Sequence, residues 1–276
     1  MQETSSDHRV LQREFYDSHY AKRTEAVRDQ LAHPLFRSYH DRLAGRILDL
    51  ALGPDATTAF GHAAGLDRPY RVFEPGCGEG FVGAGISRVA AERGIKVEYT
   101  GTDISASALE LARPTLGDDL IVGDALEVTA GLPSASRDLV VMKNLLHHLD
   151  NPSDLLREAG RVAGAEGRVA VVEARLTSPP ALVFNCLAPK REKYFFKGQR
   201  RHLEAFRQAG LRVVGHEQFS FFPYELFFHI RPSFFRKALS TDDPRTIERV
   251  SAWDDKLAAV LSPISSYWIW VTAPAA

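Results

Sequence analysis

Between residues 70 and 174 the chain alternates short apolar runs with helix-sized segments, and this pattern limits the fold more than any other feature. Five runs rich in Val, Ile and Leu, at 71–74, 97–103, 120–123, 139–143 and 168–173, read as strands. Parallel strands need a crossover between them, and a helix normally supplies it. The alternation therefore predicts βαβ units and a parallel sheet covered on both faces. One helix start is well marked, with Asn151 placed to cap and Pro152 at the first helical position.

The flanks differ. Residues 8–50 read as helical, and Leu35, Tyr39, Leu43, Ile47 and Leu50 form one apolar stripe at three- and four-residue steps. A connector rich in Gly and Ala, 52–69, follows. Beyond residue 174 the pattern predicts a helix over 197–209 ended by Gly210, and a strand at 211–215. An aromatic-rich stretch at 219–235, a helix at 241–261 and a last strand at 267–272 complete the chain. Residues 1–69 thus form a helical extension with its connector, and 70–276 a core with lid insertions around 175–200 and 219–264.

Composition narrows the partners. With 276 residues, 45% of them apolar and 25% charged, a sizeable core is expected. A net charge of −1 gives no global field to recruit nucleic acid or an anionic membrane. Two cysteines, Cys77 and Cys186, are too few for a disulfide framework. The start of the chain is polar, and no apolar run approaches the roughly 20 residues that span a bilayer. The expectation is a cytoplasmic protein with no nucleic-acid or membrane partner, and the N-terminal helices are its candidates for a homo-oligomer contact.

The chemistry starts at Val72-Phe73-Glu74-Pro75-Gly76-Cys77-Gly78-Glu79-Gly80, where an apolar strand runs into an acid and then a turn of alternating glycines. Glycine lets the chain turn tightly and lets a ligand reach the backbone. In open α/β sheets such a turn lies at the binding crevice. Two readings compete. The dinucleotide fingerprint GxGxxG offers a helix N-terminus to a pyrophosphate. Here the spacing is GxGxG behind Glu74, and a carboxylate suits a ligand with a positive end and no phosphate. Asp103 ends the next strand, about twenty residues on, where an acid can take both ribose hydroxyls. Asp124 follows the third run, and Asn144 closes the fourth. Glu79 reads as a solvated turn residue, Cys77 as a small wall residue and Asp138 as structural.

This series resembles the class I S-adenosylmethionine-dependent methyltransferases, in particular their bacterial small-molecule branch of natural-product and quinone-like substrates. The resemblance implies a Rossmann-like, doubly wound seven-stranded sheet of order 3-2-1-4-5-7-6, with strand 7 antiparallel. It implies S-adenosyl-L-methionine as cofactor and S-adenosyl-L-homocysteine as product. It also implies roles. Glu74, Gly76, Cys77, Gly78 and Gly80 line the methionine moiety. Asp103 holds the ribose, with Ile104 against the adenine. Asp124 and Ala125 flank the adenine amino group, and Asn144 passes near the sulfonium.

Methyl transfer from a sulfonium is an in-line displacement, so positioning does much of the work and a base is needed only if the acceptor must lose a proton. His147, His148 and Glu173 follow the fourth and fifth strands and are the candidates for catalysis. Tyr16, His19 and Tyr20 are candidates for the substrate lid, with helix packing as the plain alternative. The basic stretch 189–201 reads as a solvated helix start. Phe219, Phe221, Phe222, Tyr224, Phe227, Phe228, Phe234 and Phe235 are either the packing of an inserted lid or an apolar acceptor pocket, with Phe227 and Phe228 as its candidate contacts. Aromatic faces also stabilise cations. The expected activity is methylation of a hydrophobic small molecule in natural-product biosynthesis. The alternatives are C-methylation of a prenyl alkene with cation cyclisation, as in teleocidin-type indole alkaloid pathways, a cofactor-retaining cyclase, and a non-catalytic S-adenosylmethionine-binding protein.

Overall fold

A computed structural model describes residues 5–21, 33–53, 67–175, 198–221, 243–261 and 265–275. Phe227 and Phe228, most of the aromatic stretch and most of the basic stretch lie outside these residues.

In chain order the elements are α1 (Ser5–Ala21), α2 (Pro34–Leu52), β1 (Tyr70–Pro75), α3 (Phe81–Glu92), β2 (Val97–Asp103) and α4 (Ala106–Leu116). Then come β3 (Leu120–Val122), α5 (Ala125–Gly131), β4 (Leu139–Lys143), α6 (Pro152–Ala163) and β5 (Arg168–Ala174). The chain closes with α7 (Gln199–Gln208), β6 (Leu211–Phe219), α8 (Pro244–Val260) and β7 (Tyr267–Pro274). One seven-stranded sheet has the order β3-β2-β1-β4-β5-β7-β6. Strands β1 to β5 pair in parallel, and β7 runs antiparallel to both β5 and β6. Sheet order and the direction of β7 are those that the resemblance implies.

The sheet has a core on each face because side chains alternate along a strand. Val72, Leu139, Val141 and Val172 pack with Leu35, Tyr39, Leu43 and Ile47 of α2 and Ile86 of α3. Phe73, Val140, Met142 and Val171 face the other way, onto Leu155 and Leu156 of α6 and Phe206 of α7. Leu50, the last residue of the stripe, is only partly buried against the first core.

Several expectations need correction. Strand β6 runs to Phe219, not Gly215, because it pairs with β7 over its whole length and absorbs one irregularity between Val213 and Gly215. Phe219 is buried 5.2 Å from the Tyr39 ring, so it belongs to the core. Helix α8 also docks on the core. Arg42 of α2 reaches Asp254 and Asp255 at 2.9 and 2.6 Å. Asn151 sits at the N-cap of α6 but makes no side-chain cap. Its amide bonds Asp154 and accepts from Ser153 instead. Asp138 is structural: burial opposes its charge, but Arg68 and Arg71 outweigh that and hold its pKa at about 2.

Candidate cofactor and acceptor site

The site lies at the carboxyl ends of β1, β2, β4 and β5. Its first half is built by the backbone. Gly76, Gly78 and Gly80 take φ of 68°, 53° and 78°, a region that L side chains rarely adopt. The turn is pinned by Cys77 N–H to Thr102 O at 2.9 Å and by Gly80 N–H to Cys77 O at 2.9 Å. A Cβ at Gly78 would stand 3.5 Å from the Tyr20 hydroxyl, so helix α1 lies across the turn. Glu79 is accordingly buried, not solvated as its sequence position suggests.

Two carboxylates flank this turn. Glu74 is 2% exposed, and its Oε2 accepts from the Tyr99 hydroxyl at 2.8 Å. Burial pushes its pKa up to about 8, against the pull of Tyr99 and the charge of Lys143. Asp103 accepts from Gly78 N–H and Ser105 N–H, both at 2.9 Å, and burial raises its pKa as well. A carboxylate has about four acceptor sites, so two backbone donors leave room for hydroxyls. Cys77 is buried, with its Sγ 2.8 Å from where a Cβ on Gly101 would be, and burial pushes its thiol pKa well up. It is a wall and no nucleophile. Ile104 lies partly buried beside Asp103. Asp124 caps α5 through Leu126 N–H and Glu127 N–H at 2.9 and 3.1 Å, with Ala125 the first residue of that helix. These groups fit S-adenosylmethionine: a buried acid for an ammonium, an acid at a strand end for a ribose, and a glycine turn between them.

The second half is built by side chains. Asn144, just past β4, takes φ of 52° while its N–H bonds Val172 O at 2.8 Å. The turn through Leu146–His148 then carries both histidines back toward β5. Glu173 is 1% exposed, with Leu146 N–H on Oε1 at 2.7 Å and His147 Nδ1 at 2.6 Å from Oε2. Burial opposes its charge, but His147 outweighs that and its pKa falls below the usual carboxylate value. With the proton on Nδ1, facing the carboxylate, a neutral His147 imidazole keeps its lone pair on Nε2. The His148 ring lies 4.1 Å from that of His147. Burial and the neighbouring His147 drive its pKa down to about 3, so His148 stays neutral. Trp268 and Trp270 of β7 and His202 of α7 are buried on this same face. The Arg175 guanidinium lies 4.9 Å over the Trp268 ring.

Helix α1 touches both halves. The Tyr16 hydroxyl is 3.3 Å from His148 Nδ1. Asp17 accepts from the Ser105 hydroxyl at 2.6 Å and Ser107 N–H at 3.3 Å. His19 packs against Phe15 and Tyr20 of its own helix. The structure thus brings His147, His148, Glu173 and Tyr16 together, and Glu74 and Asp103 around the glycine turn. Sequence reasoning missed Tyr99 and Asp17. Tyr99 had a signal: a hydroxyl-bearing ring four residues before the strand-ending acid, with Gly101 two residues on along the same face of the strand. Asp17 had none, because its partners lie 88 and 90 residues away.

Among the described residues, no helix is long and apolar enough to cross a membrane, and no group of three His, Cys, Asp or Glu could hold a metal. Residues 73–171 match the family model of a methyltransferase domain. No curated protein matches the chain. Solved structures match its fold. An S-adenosylmethionine-dependent methyltransferase from Archaeoglobus fulgidus is 17% identical, over 79% of this chain and 90% of that one, with a TM-score of 0.50. A geranyl diphosphate methyltransferase in complex with S-adenosylmethionine is 16% identical over 84% of each chain, at 0.51. The cyclase SpnF is 18% identical over 80% and 82%, at 0.50. Matched domain, sheet order and fitted turn agree: residues 73–171 carry a methyltransferase domain, set in a Rossmann-like methyltransferase fold.

Proposed function

We propose that the chain methylates a hydrophobic small molecule in natural-product biosynthesis, in the cytoplasm, and that His147 takes a proton from the acceptor. The carrying observation is the Glu173–His147 pair, 2.6 Å apart and nearly fully buried. A carboxylate on Nδ1 fixes the tautomer that leaves Nε2 as base, and it stabilises the imidazolium once the proton has moved. His148 and Tyr16 would bind or orient the acceptor as neutral groups. Trp268, on the Glu173 face, offers an apolar wall that excludes water and favours an apolar acceptor. Phe227 and Phe228, outside the described residues, are assigned to the same acceptor pocket, and His19 to its lid.

On the cofactor side, Glu74 would receive the ammonium, with Gly76, Cys77, Gly78 and Gly80 along the methionine chain. Asp103 would hold the ribose, Ile104, Asp124 and Ala125 the adenine, and Asn144 the sulfonium end. The bound cofactor supplies an activated methyl group. The fold-level likeness to a geranyl diphosphate methyltransferase and to a cyclase supports small-molecule chemistry at this crevice, by analogy of fold alone.

The test is incubation with cofactor carrying a labelled methyl and fractionated apolar metabolites, read by mass spectrometry. One labelled methyl on an apolar product, with S-adenosylhomocysteine released, is expected. A methylated product with one more ring favours alkene methylation followed by cyclisation. Conversion without S-adenosylhomocysteine sinks the methyl-transfer reading. A methylated product that is small and highly polar sinks the hydrophobic acceptor.

A further inference from the structure

The Tyr99 ring occupies a slot that two glycines make. A Cβ on Gly83 of α3 would fall 2.4 Å from its Cε2, 2.5 Å from Cζ and 2.7 Å from the hydroxyl oxygen. A Cβ on Gly101 would fall 3.1 Å from Cε1. Any other residue at 83 would have to move the ring. The slot ends at Glu74, whose Oε2 accepts the Tyr99 hydroxyl at 2.8 Å. Both residues are buried, Glu74 at 2% and Tyr99 at 7% exposure. A buried phenol normally finds a partner, but this one is aimed at the carboxyl that heads the glycine turn.

We propose that Tyr99 is a positioning residue of the cofactor site, seated by Gly83 and Gly101 so that its hydroxyl holds the Glu74 carboxyl in the orientation that receives the cofactor's ammonium group. The proposal rests on the reading that Glu74 meets the ammonium, and on nothing about the acceptor.

The groups facing Glu74 are few. Tyr99 and the Gly83 backbone N–H donate to it, Lys143 of β4 adds positive charge, and Asp103 of β2 opposes ionisation. Cys77 is close enough to feel the charge of Glu74 but is held as a thiol by burial. The balance leaves the Glu74 carboxyl protonated near neutral pH, with a pKa of about 8. An ammonium beside it favours the carboxylate. Glu74 therefore gives its proton to solvent as the ligand seats, and binding strengthens with pH until the free carboxyl has already ionised. Tyr99 lowers the cost by donating to the charged form.

The probe is S-adenosylhomocysteine, measured by calorimetry across pH in two buffers of different ionisation enthalpy. For the unaltered protein the association constant should rise close to tenfold per pH unit from about pH 6, flattening near the Glu74 pKa of about 8, with nearly one proton released per ligand at pH 7. Glu74→Gln removes the protein's share of this pH dependence and leaves that of the ligand's own amine. Tyr99→Phe keeps the ring in its slot, weakens binding at pH 7 by about tenfold, and moves the flattening to higher pH. Gly83→Ala, which displaces the ring, should copy Tyr99→Phe in binding. A packing role alone would leave the pH profile of Tyr99→Phe unmoved, and that result overturns the proposal. If Glu74→Gln binds as the unaltered protein does, the ammonium assignment itself is wrong. Weakening in Glu74→Gln with no change in Tyr99→Phe defeats the role of Tyr99 alone.

Discussion

Glu74 and Glu173 are equally buried carboxyls, at 2% and 1% exposure, near the same ends of the same sheet, yet their acidities move in opposite directions. Alternation puts them on opposite faces. Glu74 stands in line with Val72, toward α2 and α3, and Glu173 in line with Val171, toward α6 and α7. Burial raises both. The difference is what each meets inside the chain. Glu173 meets the His147 ring, which can carry charge, and a backbone N–H. Glu74 meets a phenol and a backbone N–H, with Lys143 acting by charge alone. A carboxyl whose partner ring is built in is set before any ligand arrives. A carboxyl held by neutral donors is finished by what binds to it. Under the proposed assignments, the same burial serves a fixed pair in one half of the crevice and a ligand-dependent charge in the other.

The largest expected effect breaks the fixed pair. Glu173→Gln keeps the volume and an oxygen for Leu146 N–H, but turns an amide N–H toward His147 Nδ1. The imidazole must then put its proton on Nε2, which can no longer act as base. Turnover of an acceptor that must lose a proton should fall by at least about a hundredfold. Affinity for S-adenosylhomocysteine should hardly change, because the pair lies outside the cofactor half. Loss of cofactor binding in step with turnover would show that the two halves are not separable.

A second expected effect concerns stability. The folded pKa of Glu74, about 8, lies above the ordinary carboxyl value. The folded chain therefore holds a proton that the unfolded chain has released, and stability falls as pH rises from about 4.5 to about 8. Glu74→Gln escapes this loss. Without ligand, its Tm should exceed that of the unaltered protein at pH 8.5 by about 10 °C or more, since a rise from 4.5 to about 8 is about 4–5 kcal/mol and 1 kcal/mol moves a chain of this size by roughly 2–4 °C. At pH 5 the two should melt together. A Tm difference of the same size at both pH values would place the effect in packing, not in the carboxyl's charge.

The cofactor half was legible in the sequence because it is local. Glu74, the three glycines and Asp103 fall within thirty residues, and each is the residue type that its backbone position demands. Strands 97–103 and 139–143 have the expected bounds for the same reason: short apolar runs with clear stops. The acceptor half is assembled across the chain. His147 and Glu173 were legible as residues at strand ends, but their contact spans 26 positions and has no periodic signature. Glu79 is buried, although its place in a glycine turn reads as solvated, because burial is set by tertiary packing that the local sequence does not show. The end of β6 was misjudged because its length is set by β7, not by its own polar residues His216, Glu217 and Gln218.

The smallest expected effect tests whether α1 joins the two halves. Tyr16, Asp17 and Tyr20 fall within five residues of one helix, yet they reach His148, Ser105 and the glycine turn respectively. Asp17 is the anchor on the cofactor side. The Ser105 hydroxyl and Ser107 N–H hold its pKa below the ordinary value, so the anchor is present at neutral pH and is lost only as pH falls through that lowered pKa. Removing it costs about 1–3 kcal/mol in stability, the range for a buried donor left without its acceptor. Ser105 still caps α4 by accepting Ala108 N–H, while its buried hydroxyl loses the acceptor that Asp17 provides. What changes is how readily α1 lifts from β2 and α4. Asp17→Ala should therefore speed dissociation of S-adenosylhomocysteine by about two- to fivefold, as expected for a partly exposed, charge-assisted contact. The Tm should fall by only a few degrees, as the loss of one hydrogen-bond acceptor implies. Asp17→Asn, which keeps an acceptor oxygen, should restore most of the slow release. Stopped-flow displacement reads the rate directly. If Asp17→Ala releases ligand at the unaltered rate, α1 is a bystander over the crevice, and the two halves act without a shared cover.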